Sequence, residues 1–215
     1  MENERKELLK MCEGKKYSII YADPAWEYNN KLNINWTRST AEAHYETMKF
    51  DDIKKLPIKE IADTDCVLFI WVVFPQLQKG LDVIKAWGFN YKTCAFNWVK
   101  KNKKSNSWFF GMGRWTRSNS EICLLATKGN PKRVSASISQ IIDMPIKRHS
   151  KKPDIIRQKI IELCGELPRI ELFARMKSDG WDVWGNETDK FSSDLKKGEI
   201  FNNSFPTQTL FGDEM

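Results

Sequence analysis

A chain of 215 residues that is 41% hydrophobic and 12% aromatic can bury one good-sized core and is short for two, which argues against disorder. Its formal charge of +7 and pI near 9.1 favour an anionic partner, nucleic acid ahead of a membrane surface. Five scattered cysteines without a C-x-x-C pair, and only His44 and His149, argue against a disulfide framework and against a metal site.

The charged start, 1–16, has no signal-like apolar core, and no apolar run approaches the length of a membrane span. A soluble, cytoplasmic protein is expected, with an N-terminal extension over 1–14. Residues 17–22, YSIIYA, read as a first strand. Residues 50–63 start a helix with two acidic residues at the end its dipole favours, and Pro57 should break or restart it. The run CVLFIWVVF, 66–74, suits a strand covered on both faces.

Residues 75–88 place Leu77, Leu81 and Ile84 on one helical face, with Pro75 at the start and Gly88 as the cap. Strands follow at 91–99 and 120–127, then a helix at 152–165 that carries Ile156, Ile160 and Leu163 on one face. RIELFA, 169–174, is the last strand. This alternation predicts an α/β fold with a mostly parallel central sheet and helices on both faces, over 15–187, with a peripheral tail from 188 to 215. Trp71, Trp87 and Trp98 belong in apolar surroundings, whereas Trp26, Trp36, Trp108 and Trp115 lie in polar stretches where an aromatic more often meets a ligand.

The connection 100–118 is long for a compact domain and lacks periodicity. It interleaves Lys100, Lys101, Lys103, Lys104, Arg114 and Arg117 with Trp108 and Trp115. Cations meet phosphates and flat rings stack on bases, so these residues form a candidate nucleic-acid surface. A homodimer or heterodimer interface, or a solvated loop with a few anchors, would use the same residues.

Ligands of an open parallel sheet bind where the strands end, and Asp23-Pro24-Ala25-Trp26 sits at such an end. Asp23 is an acceptor when ionised. Pro24 gives up its N–H and leaves a carbonyl as a second acceptor. Trp26 offers a flat face. Two acceptors beside an aromatic plate suit an exocyclic amino group on a heterocycle; a strand-to-turn transition with an Asx-type turn would also use these residues.

DPAW resembles the DPPW signature of the N6-adenine methyltransferase family that includes the catalytic subunit of the eukaryotic mRNA adenosine methyltransferase and its bacterial and phage relatives. Further blocks resemble that family in the same order: 41–57, 68–89, NWVKKN (97–102), 116–133, HSKKPD (149–154), IELFAR (170–175) and GWDVWGNE (180–187). The resemblance implies a Rossmann-like domain for S-adenosylmethionine (SAM), with the catalytic motif ahead of the cofactor motifs. It implies that Asp23 and the Pro24 carbonyl hold the target N6, with Ala25 next in the catalytic motif and Trp26 packed on the adenine. For the cofactor it implies Asp23, Lys152 near the methionine carboxylate, Phe173 and Arg175 in ELFAR, and Asn186 and Glu187 near the ribose.

Three departures stand out. Ala25 replaces the second proline of the signature, at a cost of roughly 0.4–1 kcal/mol of chain stiffness. Met176-Lys177-Ser178 replaces a segment often containing His and Asn, and ELFAR has no glycine-rich loop. The expected activity is SAM-dependent N6-adenine methylation of DNA, without a metal. The alternatives are an RNA N6-adenosine methyltransferase, a catalytically silent nucleic-acid-binding subunit, or a cytosine N4 methyltransferase. A metal-dependent nuclease lacks the acidic clusters it would need.

Overall fold

A computed structural model describes residues 2–26, 48–113, 115–147, 151–186 and 188. Seven strands form one sheet: β1 (Tyr17–Ala22), β2 (Ala62–Val72), β3 (Asn90–Lys101), β4 (Ser120–Lys128), β5 (Ile141–Pro145), β6 (Arg169–Leu172) and β7 (Asp182–Trp184). Their order is β5-β3-β4-β2-β1-β6-β7. β1 pairs in parallel with β2 and β6, β6 with β7, and β3 with β5, whereas β4 is antiparallel to both β2 and β3. The sheet is thus mostly parallel as expected, with β4 as its one antiparallel strand. β3 and β4 are joined without a helix, and strands connected that way pair antiparallel.

The helices are α1 (Glu2–Cys12), α2 (Phe50–Lys55), α3 (Ile58–Ile61), α4 (Leu77–Ala86) and α5 (Ile155–Cys164). Pro57 separates α2 from α3 as expected, and Leu56 ahead of it takes the extended conformation that proline imposes on its predecessor. On one face, Leu8, Ile53, Ile61, Val83 and Trp87 from α1 to α4 and the α4 cap bury Ile20, Leu68 and Ile70. On the other, Ile156, Ile160 and Cys164 of α5 meet Ile19, Tyr21, Phe69 and Trp71. Neighbouring residues of β1 and β2 thus face opposite clusters, which explains their unbroken apolar runs.

Trp71, Trp87 and Trp98 are buried, as their sequence surroundings implied. Gly88 ends α4 at φ 83°, while the Phe89 and Gly88 amides bond back to the Ile84 and Lys85 carbonyls. Three elements escape the sequence pattern. α1 is charged overall yet buries Leu8 and Cys12, β5 is a sheet edge with Ile142 as its buried residue, and β7 is three residues long.

Gly80 lies where α4 crosses β2, and a Cβ there would meet Val72 Cγ2 at 2.5 Å. Gly80→Ala should therefore lower stability by about 1–3 kcal/mol through overpacking, against the gain in helix propensity. Chemical denaturation would show it as a lower midpoint.

Because every strand except β4 runs the same way, one rim of the sheet gathers the ends of β1, β3, β5, β6 and β7 and the start of β4. Asp23, the 102–119 connection, Phe173 and Asn186 all emerge there.

Candidate active site at the carboxyl rim

Asp23 follows β1 directly, its amide bonded to the Leu172 carbonyl at 3.4 Å. The turn behind it is held locally. The Trp26 amide donates to the Pro24 carbonyl at 2.9 Å, and the Met48 amide donates to the Ala25 carbonyl at 3.2 Å. Pro24 oxygen thus has one lone pair engaged and one left.

Trp26 is buried, packs in the α1–α4 core, and donates its indole N–H to the Trp71 carbonyl at 3.1 Å. This corrects the stacking role expected from sequence. An indole with its N–H satisfied inside the core anchors the motif and has little open face for a base.

Lys152 and Asp23, 129 residues apart, meet here. Lys152 Nζ donates to both carboxylate oxygens, at 2.8 and 2.9 Å. The same ammonium lies 3.4 Å from Glu121 Oε2 and 5.4 Å from the centre of the Trp71 ring. Glu121 Oε1 in turn accepts from Lys100 at 2.5 Å. Two carboxylates and two ammonium groups alternate, each largely shielded from water.

Burial works to raise the Glu121 pKa, but Lys152 and Lys100 outweigh it and bring the carboxyl down to about 2. A depressed folded-state pKa contributes stability that is present above the ordinary 4.5 and is lost as pH falls through that window to 2. Glu121→Gln should thus flatten the acid limb of the stability–pH curve below pH 4.5, by on the order of 3 kcal/mol, as read by urea unfolding.

Beside this cluster lies a cleft, part of it open to solvent, lined by Tyr21, Asp23, Lys152, Arg157, Glu171 and Phe173, with Arg175 and Met176 on its wall. Arg157 Nε and Nη2 grip Glu171 at 2.6 and 2.8 Å. Burial opposes the guanidinium charge, yet Glu171 prevails and holds Arg157 protonated. Burial raises the Glu171 pKa against the pull of Arg157. Phe173 turns the chain out of β6 at φ 60°, an uncommon conformation for a non-glycine residue, and packs edge-on against Trp184.

The sequence-predicted cofactor residues are gathered unevenly. Asp23, Lys152, Phe173 and Arg175 share the cleft, whereas Asn186 is exposed beyond β7 and does not line it. Glu187 and Arg114 lie outside the described residues, as do Trp36, His44 and His149.

The basic loop divides. Lys100 pairs with Glu121, and Lys101 pairs with Asp143 at 2.7 Å and lies over the Trp108 ring. This corrects their reading as free surface cations, because the ladder of β3 with β4 and β5 sets Lys100 beside the largely buried Glu121 and Lys101 beside the exposed Asp143 of the edge strand. Lys103, Lys104, Arg117, Trp108 and Trp115 are exposed, Trp115 fully.

Glu121, Arg157 and Glu171 were missed from sequence. The available signal was a carboxylate inside each of the apolar runs SEICLLAT and IELFA, which requires a buried cation partner. Among the described residues no group of three or more His, Cys, Asp or Glu side chains could hold a metal, and no helix is long and apolar enough to cross a membrane.

The chain is similar to the type II methyltransferase M.MunI of a Mycoplasma species, 34% identical over 206 residues, covering 88% of this chain and 85% of the other. It is 29% identical over 178 residues to the N(6)-adenosine-methyltransferase MT-A70-like protein of Drosophila melanogaster and to the N(6)-adenosine-methyltransferase catalytic subunit METTL3 of Homo sapiens. Those matches cover 81% of this chain but only 27% and 28% of the relatives. The MT-A70 family model matches residues 17–187, a span that contains the whole rim just described. The chain belongs to the MT-A70 family of methyltransferases.

Proposed function

We propose that the chain is a SAM-dependent N6-adenine methyltransferase acting on DNA, a cytoplasmic enzyme of a bacterial or phage-infected cell. The observation that carries the reading is the acidic DPAW turn at the end of β1, set beside a cleft lined by both cations and carboxylates in a chain of this family. Preference for DNA rests on the type II methyltransferase relative, which matches along most of both chains.

The residues of the cleft fit the cofactor in chemical kind. Lys152 and Arg175 are cations suited to its amino-acid carboxylate, and Asp23 and Glu171 are carboxylates suited to its ammonium and sulfonium charge. When bound, SAM supplies an electrophilic methyl on sulfur. Asp23 would accept a hydrogen bond from the adenine amino group, and the remaining lone pair of the Pro24 carbonyl would accept the second. Both bonds draw the nitrogen toward tetrahedral geometry and release its lone pair for attack. Holding that nitrogen in line with the methyl is worth on the order of 7–11 kcal/mol. A base in a duplex cannot reach the rim, so it must be flipped out or taken from a single strand.

The exposed part of the 102–119 connection is the surface proposed for the strand, with Lys103, Lys104 and Arg117 for phosphates and Trp108 and Trp115 for stacking. Trp115→Ala should weaken DNA binding by about 1–3 kcal/mol at fixed salt while leaving SAM affinity unchanged. Fluorescence anisotropy with a labelled oligonucleotide measures the first and calorimetry the second. If the loop instead joins two copies of the chain, the variant will change the mass in sedimentation and not the affinity.

The deciding experiment is to incubate the protein with labelled SAM and matched DNA and RNA pools, then map the modified positions. N6-methyladenine in DNA is the expected product. Label confined to RNA would favour the second reading, suggested by the adenosine-methyltransferase relatives. Label in neither pool would overturn the proposal.

A further inference from the structure

The Lys152–Asp23 pair has a consequence beyond placing two site residues together. The ammonium takes a lone pair on each Asp23 oxygen, at 2.8 and 2.9 Å, and presents its positive charge to any donor that approaches. It is also well seated. The Lys152 side chain is only 12% exposed, lies over the Trp71 ring, and has Glu121 within 3.4 Å. A neutral amino group is a poor competitor for such a carboxylate, because the ammonium adds the attraction of a full opposite charge to its hydrogen bonds and the amino group does not. A second carboxylate competes with Asp23 for Lys152 on equal terms.

We propose that Lys152 caps Asp23 in the cofactor-free enzyme, and that a carboxylate on the incoming cofactor must draw the ammonium away before Asp23 can accept the substrate amino group. The proposal rests on the functional reading above and adds an order to it: cofactor first, base second. Glu121 makes the exchange feasible. Its Oε1 is held by Lys100, and its Oε2 lies 3.4 Å from Lys152, so a counter-charge stands beside the lysine that leaves Asp23. Lys152 is then a positioning residue for the chemistry as well as a cofactor ligand.

The test reads the lysine directly, by 15Nζ NMR of the whole protein, with the Lys152 signal identified by its loss in Lys152→Arg. Saturation with S-adenosylhomocysteine, which carries the carboxylate but no transferable methyl, should move the signal. Its decarboxylated analogue should bind and leave the signal in place. In Asp23→Asn the signal should already be displaced without any ligand. A signal unmoved by S-adenosylhomocysteine, moved equally by both compounds, or unchanged in Asp23→Asn overturns the cap. If S-adenosylhomocysteine fails to bind in calorimetry, the methyltransferase reading of the cleft fails, and the cap fails with it. Pulse–chase supplies the order: enzyme preloaded with labelled SAM should convert its label on mixing with DNA and excess unlabelled SAM. Preloaded labelled DNA should instead be lost to an unlabelled DNA chase, and its retention as product also overturns the proposal.

Discussion

Replacing Asp23 by alanine should reduce methyl transfer by on the order of 10³-fold or more while leaving the fold and SAM binding in place. The rate falls because the alanine removes the acceptor that would orient the adenine amino group and draw out its lone pair. The Pro24 carbonyl remains, but one of its lone pairs already serves the Trp26 amide, so it is a weak replacement. The fold survives because Lys152 keeps Glu121 as a carboxylate neighbour, which limits the stability loss to about 1–3 kcal/mol. SAM affinity should largely hold, since the lost carboxylate contact to the cofactor's positive charge is offset when Asp23 no longer competes for the Lys152 ammonium. Asp23→Asn should be impaired less severely, because the amide keeps one acceptor oxygen while losing the carboxylate charge and the second acceptor. Transfer of tritium from SAM, a thermal melt and calorimetry together check this. Turnover close to wild type in Asp23→Ala would remove Asp23 from the chemistry.

The second large effect concerns the floor of the cleft. Arg157→Met should cost about 3–5 kcal/mol of stability, because it strands Glu171 as a buried carboxylate without its bidentate partner. Adding Glu171→Gln should restore a large part of that loss, since the stranded charge is gone; a double-mutant cycle by urea unfolding reads the coupling. The pH dependence has a defined sign. Burial raises the Glu171 pKa even in the intact pair, and without Arg157 the opposing pull disappears, so the folded-state value moves further up. A raised folded pKa contributes stability that is complete below the unfolded value and lost as pH rises through the folded one. Arg157→Met should therefore be more stable at pH 5 than at pH 8, and the double variant should lose that dependence. If the single variant is no less stable than wild type at pH 8, the pair does not support the floor.

Burial patterns wrote much of the fold into the sequence. Runs such as YSIIYA and CVLFIWVVF have to be covered on both faces, and the spacing of Leu77, Leu81 and Ile84 and of Ile156, Ile160 and Leu163 announces helices to cover them. α1 and β7 carry too little apolar signal to stand apart, and β5 turns only one buried side chain inward, so their existence depends on a neighbour to pair with. The antiparallel direction of β4 was equally hidden, since a strand's composition does not record which way it runs.

The site divides along the same line. DPAW and the ordered blocks around it marked Asp23, Lys152, Phe173 and Arg175, because residue type and order along the chain are enough to carry that resemblance. Only the tertiary structure decided that Trp26 is a core anchor, that Lys100 and Lys101 pair with carboxylates of neighbouring strands, and that Lys152 rests on Asp23, 129 positions away in the chain. The reason is physical. A sequence specifies which groups must find partners, while the partner a buried charge takes is settled by which strand ends the sheet brings to one rim.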